Sequence, residues 1–200
     1  MHRALPLLLA AAAALGACKP AAQAPQPAAT PSATGTPMTV VFDKGWPQFW
    51  ADPVNAVDVL NRTGARMGSY AAKGAGYAAE AVPTALDFKT TPKPNTAYIT
   101  AIGTKGQLDA LRYRLDLPQP DQAAKAATSL GEMIVNSFRV LGLAGAHEVA
   151  GALNAGKDLT GKAEGAVYSV VRQPAPELGA GAQRIIVTFS RPGASAPANS

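Results

Sequence analysis

The chain has 200 residues, of which 48% are hydrophobic and 16% are charged, against a charged share of about 25% in ordinary globular proteins. This composition excludes a wholly disordered chain and a coiled-coil rod, and the length predicts one folded domain. Eighteen lysines and arginines against thirteen acids give a net charge of +5, and the single cysteine excludes an intramolecular disulfide and a thiolate metal cluster.

Residues 1–17 are predicted to be a signal peptide. One arginine, Arg3, precedes an apolar stretch from Ala4 to Leu15. As a helix rising roughly 1.5 Å per residue, this stretch reaches about 18 Å, short of the hydrocarbon core of about 30 Å. It is therefore typical of a secretion signal rather than of a membrane span. No later segment approaches the length of apolar sequence that a transmembrane helix needs.

The apolar stretch ends in Leu15-Gly16-Ala17-Cys18, which contains the only cysteine of the chain. This segment resembles the lipobox of bacterial lipoproteins. The resemblance implies a diacylglyceryl group on the Cys18 sulfur, cleavage before Cys18 and acylation of the new amino group, so that the acyl chains hold the protein on a membrane. In that family Lys19, rather than aspartate, implies an outer-membrane lipoprotein that faces the periplasm. The alternative is an ordinary signal peptide with an incidental cysteine.

Residues 18–37 are predicted to be the lipidated cysteine and a tether. The segment from Lys19 to Pro37 is rich in proline and alanine and has no aliphatic side chain larger than alanine. It buries too little apolar surface to offset its ordering entropy, and its prolines favour extended geometry with a reach of at most about 60 Å. Residues 192–200 are again small and polar, so we expect a flexible tail. The folded domain is predicted to span 38–191.

The domain is predicted to begin with helices and to continue with strands. Residues 46–50 form one predicted helical turn, and Asp52 begins a second helix. This second helix is predicted to bury Val54, Val57 and Leu60. Ala79–Phe88 is predicted to be a strand, at a sheet edge or bulged because it contains Pro83.

The clearest predicted pair is the hairpin of Thr96–Gly103 and Leu108–Leu117. In its second strand, apolar and charged side chains alternate strictly, which predicts one face on a core and one face in water. The predicted core face carries Leu111, Tyr113, Leu115 and Leu117. Arg112 and Arg114 are predicted to lie on the wet face.

The second half of the domain begins with the longest predicted helix, which Pro120-Asp121 opens. Its apolar stripe is Ala123, Ala127, Leu130, Ile134, Phe138 and Leu141. A short helix over Ala146–Asn154, a loop over Gly161–Gly165 and strands over Ala166–Arg172 and Arg184–Ser190 follow. This order predicts an α+β fold, with an antiparallel sheet of about five strands, one long helix packed on one face and one or two shorter helices.

The residue inventory offers little for catalysis. Behind the signal peptide His147 is the only histidine, no ligand pair stands at metal-binding spacing, and neither a phosphate loop nor a Gly-x-Ser-x-Gly segment is present. We therefore expect no metal, no cofactor and no enzyme activity. Nucleic acid is not an expected partner, because a secreted protein does not meet it and because no aromatic side chains are interleaved with the arginines. An envelope hydrolase that uses His147 with a distant acid stays open as an alternative.

Arginines on the predicted strands are one candidate contact surface. Arg112 and Arg114, together with Arg172 and Arg184, could share one cationic face of the sheet. Such a face suits an envelope protein or an anionic envelope component, and a solvated face without a partner is the alternative.

Trp46, Phe49 and Trp50 are the second candidate for contact, because they gather both tryptophans and one phenylalanine within five residues. Such side chains dominate interface hot spots, and equally the core of a small domain rich in alanine. The sequence thus predicts an envelope lipoprotein with a non-catalytic binding or assembly role. A carrier that holds a small apolar ligand between helix and sheet stays open beside the hydrolase.

Overall fold

The computed structural model describes residues 41–86 and 93–194, all within the second of the two units of the chain, Pro37–Ser200. The predicted signal peptide, the Cys18 lipidation site, most of the tether and residues 195–200 lie outside the described residues. Among the described residues, no helix combines the length and the apolar character that crossing a bilayer requires.

Four α-helices and eight strands follow one another in the described part of the chain. The helices are α1 (Trp46–Ala51), α2 (Pro53–Arg62), α3 (Ala123–Leu141) and α4 (Ala146–Asn154). The strands are β1 (Ala71–Lys73), β2 (Gly76–Glu80), β3 (Thr84–Ala85), β4 (Thr96–Thr104), β5 (Gln107–Leu117), β6 (Leu159–Ala163), β7 (Ala166–Pro174) and β8 (Gln183–Ser190). The predicted α+β class with an antiparallel sheet is confirmed, but the sheet has eight strands rather than about five.

The strands form one antiparallel sheet in the order β1-β2-β4-β5-β8-β7-β6, and β3 also pairs with β4. Most strands that are adjacent in sequence pair as hairpins, but β2 pairs with β4 rather than with β3, and a longer connection occurs in the middle. There β8 pairs with β5, after α3, α4 and the β6–β7 hairpin have intervened. The last strand is therefore an inner strand of the sheet, next to the central strand β5, and its Phe189 contacts Phe138 of α3.

The predicted strand over 79–88 is interrupted in the structure. β2 ends at Glu80, Ala81 forms an isolated bridge, and the two residues of β3 follow Pro83. Proline has no N–H to donate to a neighbouring strand, so it divides the predicted strand in two. Phe88, the predicted end, lies outside the described residues.

The glycine-rich segment predicted to be a loop contains a strand instead. β6 pairs with β7 over five residues, and Gly161 lies opposite Tyr168. A Cβ atom at Gly161 would stand 2.5 Å from the Tyr168 ring. The glycine is therefore needed for a close ring contact inside a strand, which its sequence pattern does not reveal.

The helices follow the predictions with one exception. Asp52 caps α2, because its Oδ1 accepts a hydrogen bond from the Asn55 amide at 3.1 Å. The buried face of α2 includes Val57 and Leu60 as predicted, but Val54 is 67% exposed and its predicted burial is wrong. All six predicted apolar positions of α3 belong to the core or pack against it.

A cluster of aromatic rings surrounds Trp46 in the core. Its ring stacks on Trp50 and on Phe189 of β8, with centroids 4.7 and 5.3 Å away, and meets the edge of Phe138 of α3 at 5.2 Å. The indole Nε1 donates to the Ala144 carbonyl at 3.0 Å. One side chain thus joins α1, α3, the sheet and the loop before α4.

We expect Trp46→Ala to lower the free energy of unfolding by about 3–5 kcal/mol, because it empties the centre of this cluster. Urea unfolding of the full chain, followed by circular dichroism, measures the change. Val54→Ala is the matched control and should shift the value by no more than about 0.5 kcal/mol, since Val54 is exposed. Equal effects of the two substitutions would contradict the central role of Trp46.

Candidate ligand-binding cleft

The structure places the predicted aromatic contact residues inside the core. Trp46, Phe49 and Trp50 are all buried, and the Trp50 Nε1 donates to the Gly165 carbonyl at 2.8 Å. Their rings contact one another rather than solvent. These three side chains therefore pack in the core, and their rings are not exposed for contact with a partner.

Arg112 and Arg114 lie on the sheet face opposite the helices, as predicted from the alternation of β5. Arg112 is only 9% exposed and lies between Thr100 of β4 and Thr188 of β8, so its predicted place in water is wrong. Burial, and then the charge of Arg114, lower the pKa of Arg112. Arg114 is 36% exposed, and its guanidinium carbon lies 4.0 Å from the centroid of the Tyr98 ring.

Arg184 shares this open face and joins two carboxylates. Its Nε donates to Oδ1 of Asp116 at 2.6 Å, and its Nη2 lies 3.0 Å from Oε1 of Glu177. The hydrogen bond with Asp116 is the main reason that the pKa of Arg184 is raised. Glu177 belongs to the β7–β8 connection, residues 175–182. These ion pairs therefore fasten the connection to the sheet.

Arg172 lies on the opposite face of the sheet, so its predicted place beside the other arginines is wrong. In the register it pairs with Ile185, a core residue under the helices. Its Nη1 donates to the Lys157 carbonyl at 2.5 Å, and its Nη2 donates to the Leu153 carbonyl at 3.1 Å. Leu153 lies in the last turn of α4 and Lys157 lies three residues beyond its end, so Arg172 ties the end of α4 and the segment after it to the sheet. Burial lowers the pKa of Arg172, and the charge of Asp158 opposes that shift.

A cleft of about 810 Å³ opens between the start of α3, the end of α4 and the β7–β8 connection. Its volume falls within the range of roughly 300–1,000 Å³ that is usual for small-molecule sites. The floor is the helix-covered face of the sheet, with Leu117, Ile185 and Arg172. The walls include Ala123, Ala127, Leu153, Pro174, Pro176 and Ala182.

Small side chains create this space. The first turns of α3 bring Ala123, Ala124 and Ala127 to the cleft, and the connection brings Gly179-Ala180-Gly181-Ala182. Methyl groups and glycines do not fill the gap between a helix layer and a sheet in the way that leucine or phenylalanine would. The sequence carried this signal, because the stripe of α3 begins with alanines and a long proline- and glycine-rich connection separates β7 from β8. It did not show that the two meet.

Residues considered for chemistry lie apart from the cleft. His147 is exposed near the start of α4 and does not line the cleft. Within residues 41–86 and 93–194, no three histidine, cysteine or acidic side chains stand close enough to hold a metal ion. Cys18 lies outside the described residues.

No protein-family model, no curated protein and no solved structure matches this chain. Its function is therefore argued from the cleft and from the open face of the sheet.

Proposed function

We propose that this chain is a lipoprotein of the bacterial cell envelope whose folded domain binds a small apolar ligand in the cleft, without catalysing a reaction on it. The observation that carries the proposal is the cleft itself. It combines a mainly apolar lining with a few polar side chains, among them Arg172 and Gln183, which is the usual composition of a ligand site.

The position of the cleft also favours a small ligand over a protein. Its floor is the sheet face that α3 and α4 cover, so a ligand there would lie between the helix and sheet layers. The connection that forms one wall is closed by a hydrogen bond from the Ala175 amide to the Ala182 carbonyl at 3.0 Å, and Arg184 contacts its Glu177 from the other side of the sheet. A site held in shape in this way loses less conformational entropy when a ligand binds.

The sequence features at the beginning of the chain support the envelope part of the proposal. The signal peptide and the lipobox ending at Cys18 imply acyl chains that hold the protein on the outer membrane, facing the periplasm. A tether that reaches at most about 60 Å would let the domain meet ligands at the membrane and away from it.

We expect Ala127→Trp to weaken binding of the neutral probe N-phenyl-1-naphthylamine about tenfold or more, a loss of about 1.4 kcal/mol, because the indole would occupy the cleft. Fluorescence titration of the full chain carrying Cys18→Ser, which removes its own acyl chains, measures the affinity.

Asn136→Trp is the matched control, since it adds the same side chain to an exposed position of α3. Thermal unfolding verifies that both variants are folded, and Ala182→Leu fills the cleft from the opposite wall if Ala127→Trp does not fold. Unchanged probe binding in a folded cleft-filling variant would contradict the proposal.

We expect Cys18→Ser to move the protein from the membrane fraction to the soluble fraction, because it removes the sulfur that carries the diacylglyceryl group. Fractionation of cells and immunoblotting of both fractions test this. Ala21→Ser, three residues further on, should leave the protein on the membrane. A Cys18→Ser protein that stays in the membrane fraction would contradict the lipobox.

A second candidate function is binding of an anionic envelope component at the open sheet face, which the stack of Arg114 on Tyr98 favours. An aromatic ring under a guanidinium holds it in place. The Arg114 side chain stays 36% exposed, although its Nε is buried and lies 3.5 Å from Oδ1 of Asp116.

We expect Arg114→Glu to lower the affinity of the Cys18→Ser chain for phosphatidylglycerol vesicles about tenfold, since one charge-assisted hydrogen bond contributes about 1.5–3 kcal/mol. Vesicle co-sedimentation measures it. Lys105→Glu in the β4–β5 turn makes the same charge change at an exposed site and should have little effect. Equal losses in both variants would indicate only general charge attraction.

A further inference from the structure

The two ends of the cleft differ in charge. Its floor crosses three neighbouring strands, a distance of about 10 Å at the usual strand spacing. Arg172 of β7 pairs with Ile185 of β8, and Leu117 of β5 pairs with Gln183 of β8, which also lines the cleft. At the β5 end the nearby wall is made of the alanines of α3. At the β7 end the floor residue is an arginine, beside the end of α4.

Arg172 is the one charged side chain among the described residues that line the cleft. Asp158 lies 3.8 Å from its Nη1, but the Asp158 side chain is mostly exposed, so water screens that charge. Asp158 also accepts a hydrogen bond from the Arg172 amide at 2.9 Å, but it does not line the cleft. The floor therefore presents a positive charge without an acidic side chain in the described lining.

The guanidinium is also held in a fixed orientation. It donates to the carbonyls of Lys157, Leu153 and Ala152, at 2.5, 3.1 and 3.4 Å. A guanidinium has five N–H donors, so these three hydrogen bonds leave capacity for a ligand oxygen. An oriented arginine loses little entropy when it forms a further hydrogen bond.

We propose that the ligand of the cleft is a single-chain amphiphile with a carboxylate headgroup, whose carboxylate binds Arg172 and whose alkyl chain lies over Ile185 towards Leu117. This inference rests on the proposed function. The charge of the one ionic lining residue is complementary to a carboxylate, and the planar guanidinium matches the planar geometry of that group. An alkyl chain suits the apolar side chains of the lining, which include Ile185, Leu117 and the alanines of α3.

The test compares dodecanoate with 1-dodecanol, which has the same chain and no charge. Each displaces N-phenyl-1-naphthylamine from the full chain carrying Cys18→Ser, below the micellar concentration. We expect dodecanoate to bind about tenfold more tightly than the alcohol. In Arg172→Gln we expect that preference to disappear, with little change for the alcohol. Dodecyl phosphate, as a third ligand, distinguishes a carboxylate from any anionic headgroup.

Arg191→Gln is the matched control, because Arg191 is a half-buried arginine with an ion pair to Asp109, just beyond the other end of β8. It should keep the preference for dodecanoate. Arg172→Lys keeps the charge if Arg172→Gln does not fold, and it should keep part of the preference.

Equal affinity for the acid and the alcohol in the unsubstituted cleft, a preference that survives in folded Arg172→Gln, or tighter binding of the phosphate would overturn the carboxylate assignment and leave the proposed function standing. Displacement of the probe by neither ligand would overturn the alkyl-chain ligand. Absence of probe binding itself would overturn the proposed function.

Discussion

The domain depends on one aromatic contact set, the ring of Trp46 between Trp50, Phe138 and Phe189. About a fifth of the chain is alanine, so few side chains are large enough to join a helix layer to a sheet. Trp46 joins them and anchors its Nε1 on the Ala144 carbonyl, before α4. Phe189 belongs to β8, so this cluster also helps to hold the last strand in the middle of the sheet, beside β5.

The same shortage of large side chains explains the cleft. The second half of α3 contributes Ile134, Phe138 and Leu141 to the core, whereas its first turns contribute only alanines. Packing is therefore dense near Trp46 and incomplete at the opposite end of α3, where about 810 Å³ stays open. Apolar side chains that line an open cleft are exposed to water, and an apolar ligand would cover them, which is the physical basis of the proposed binding role.

Two arginines shape the cleft from opposite faces of the sheet. Arg172 holds the end of α4 through backbone carbonyls, and Arg184 holds the β7–β8 connection through Asp116 and Glu177. Both contacts fix chain segments that carry too few large apolar groups to pack by themselves. Polar contacts thus replace the missing hydrophobic packing at this end of the domain, and one of the two arginines, Arg172, lines the cleft.

The sequence by itself determined the α+β class, the β4–β5 hairpin and the core stripe of α3, because period-two and period-3.6 patterns report which side of an element is buried. Only the tertiary structure decided which strands are neighbours and therefore which side chains meet. β3 and β6 are strands because they pair with β4 and β7. Their own sequences are short and lie near proline or contain glycine, so they do not predict strands. Arg172 lies opposite Ile185 rather than Arg184, and that one-residue register places the two arginines on opposite faces of the sheet.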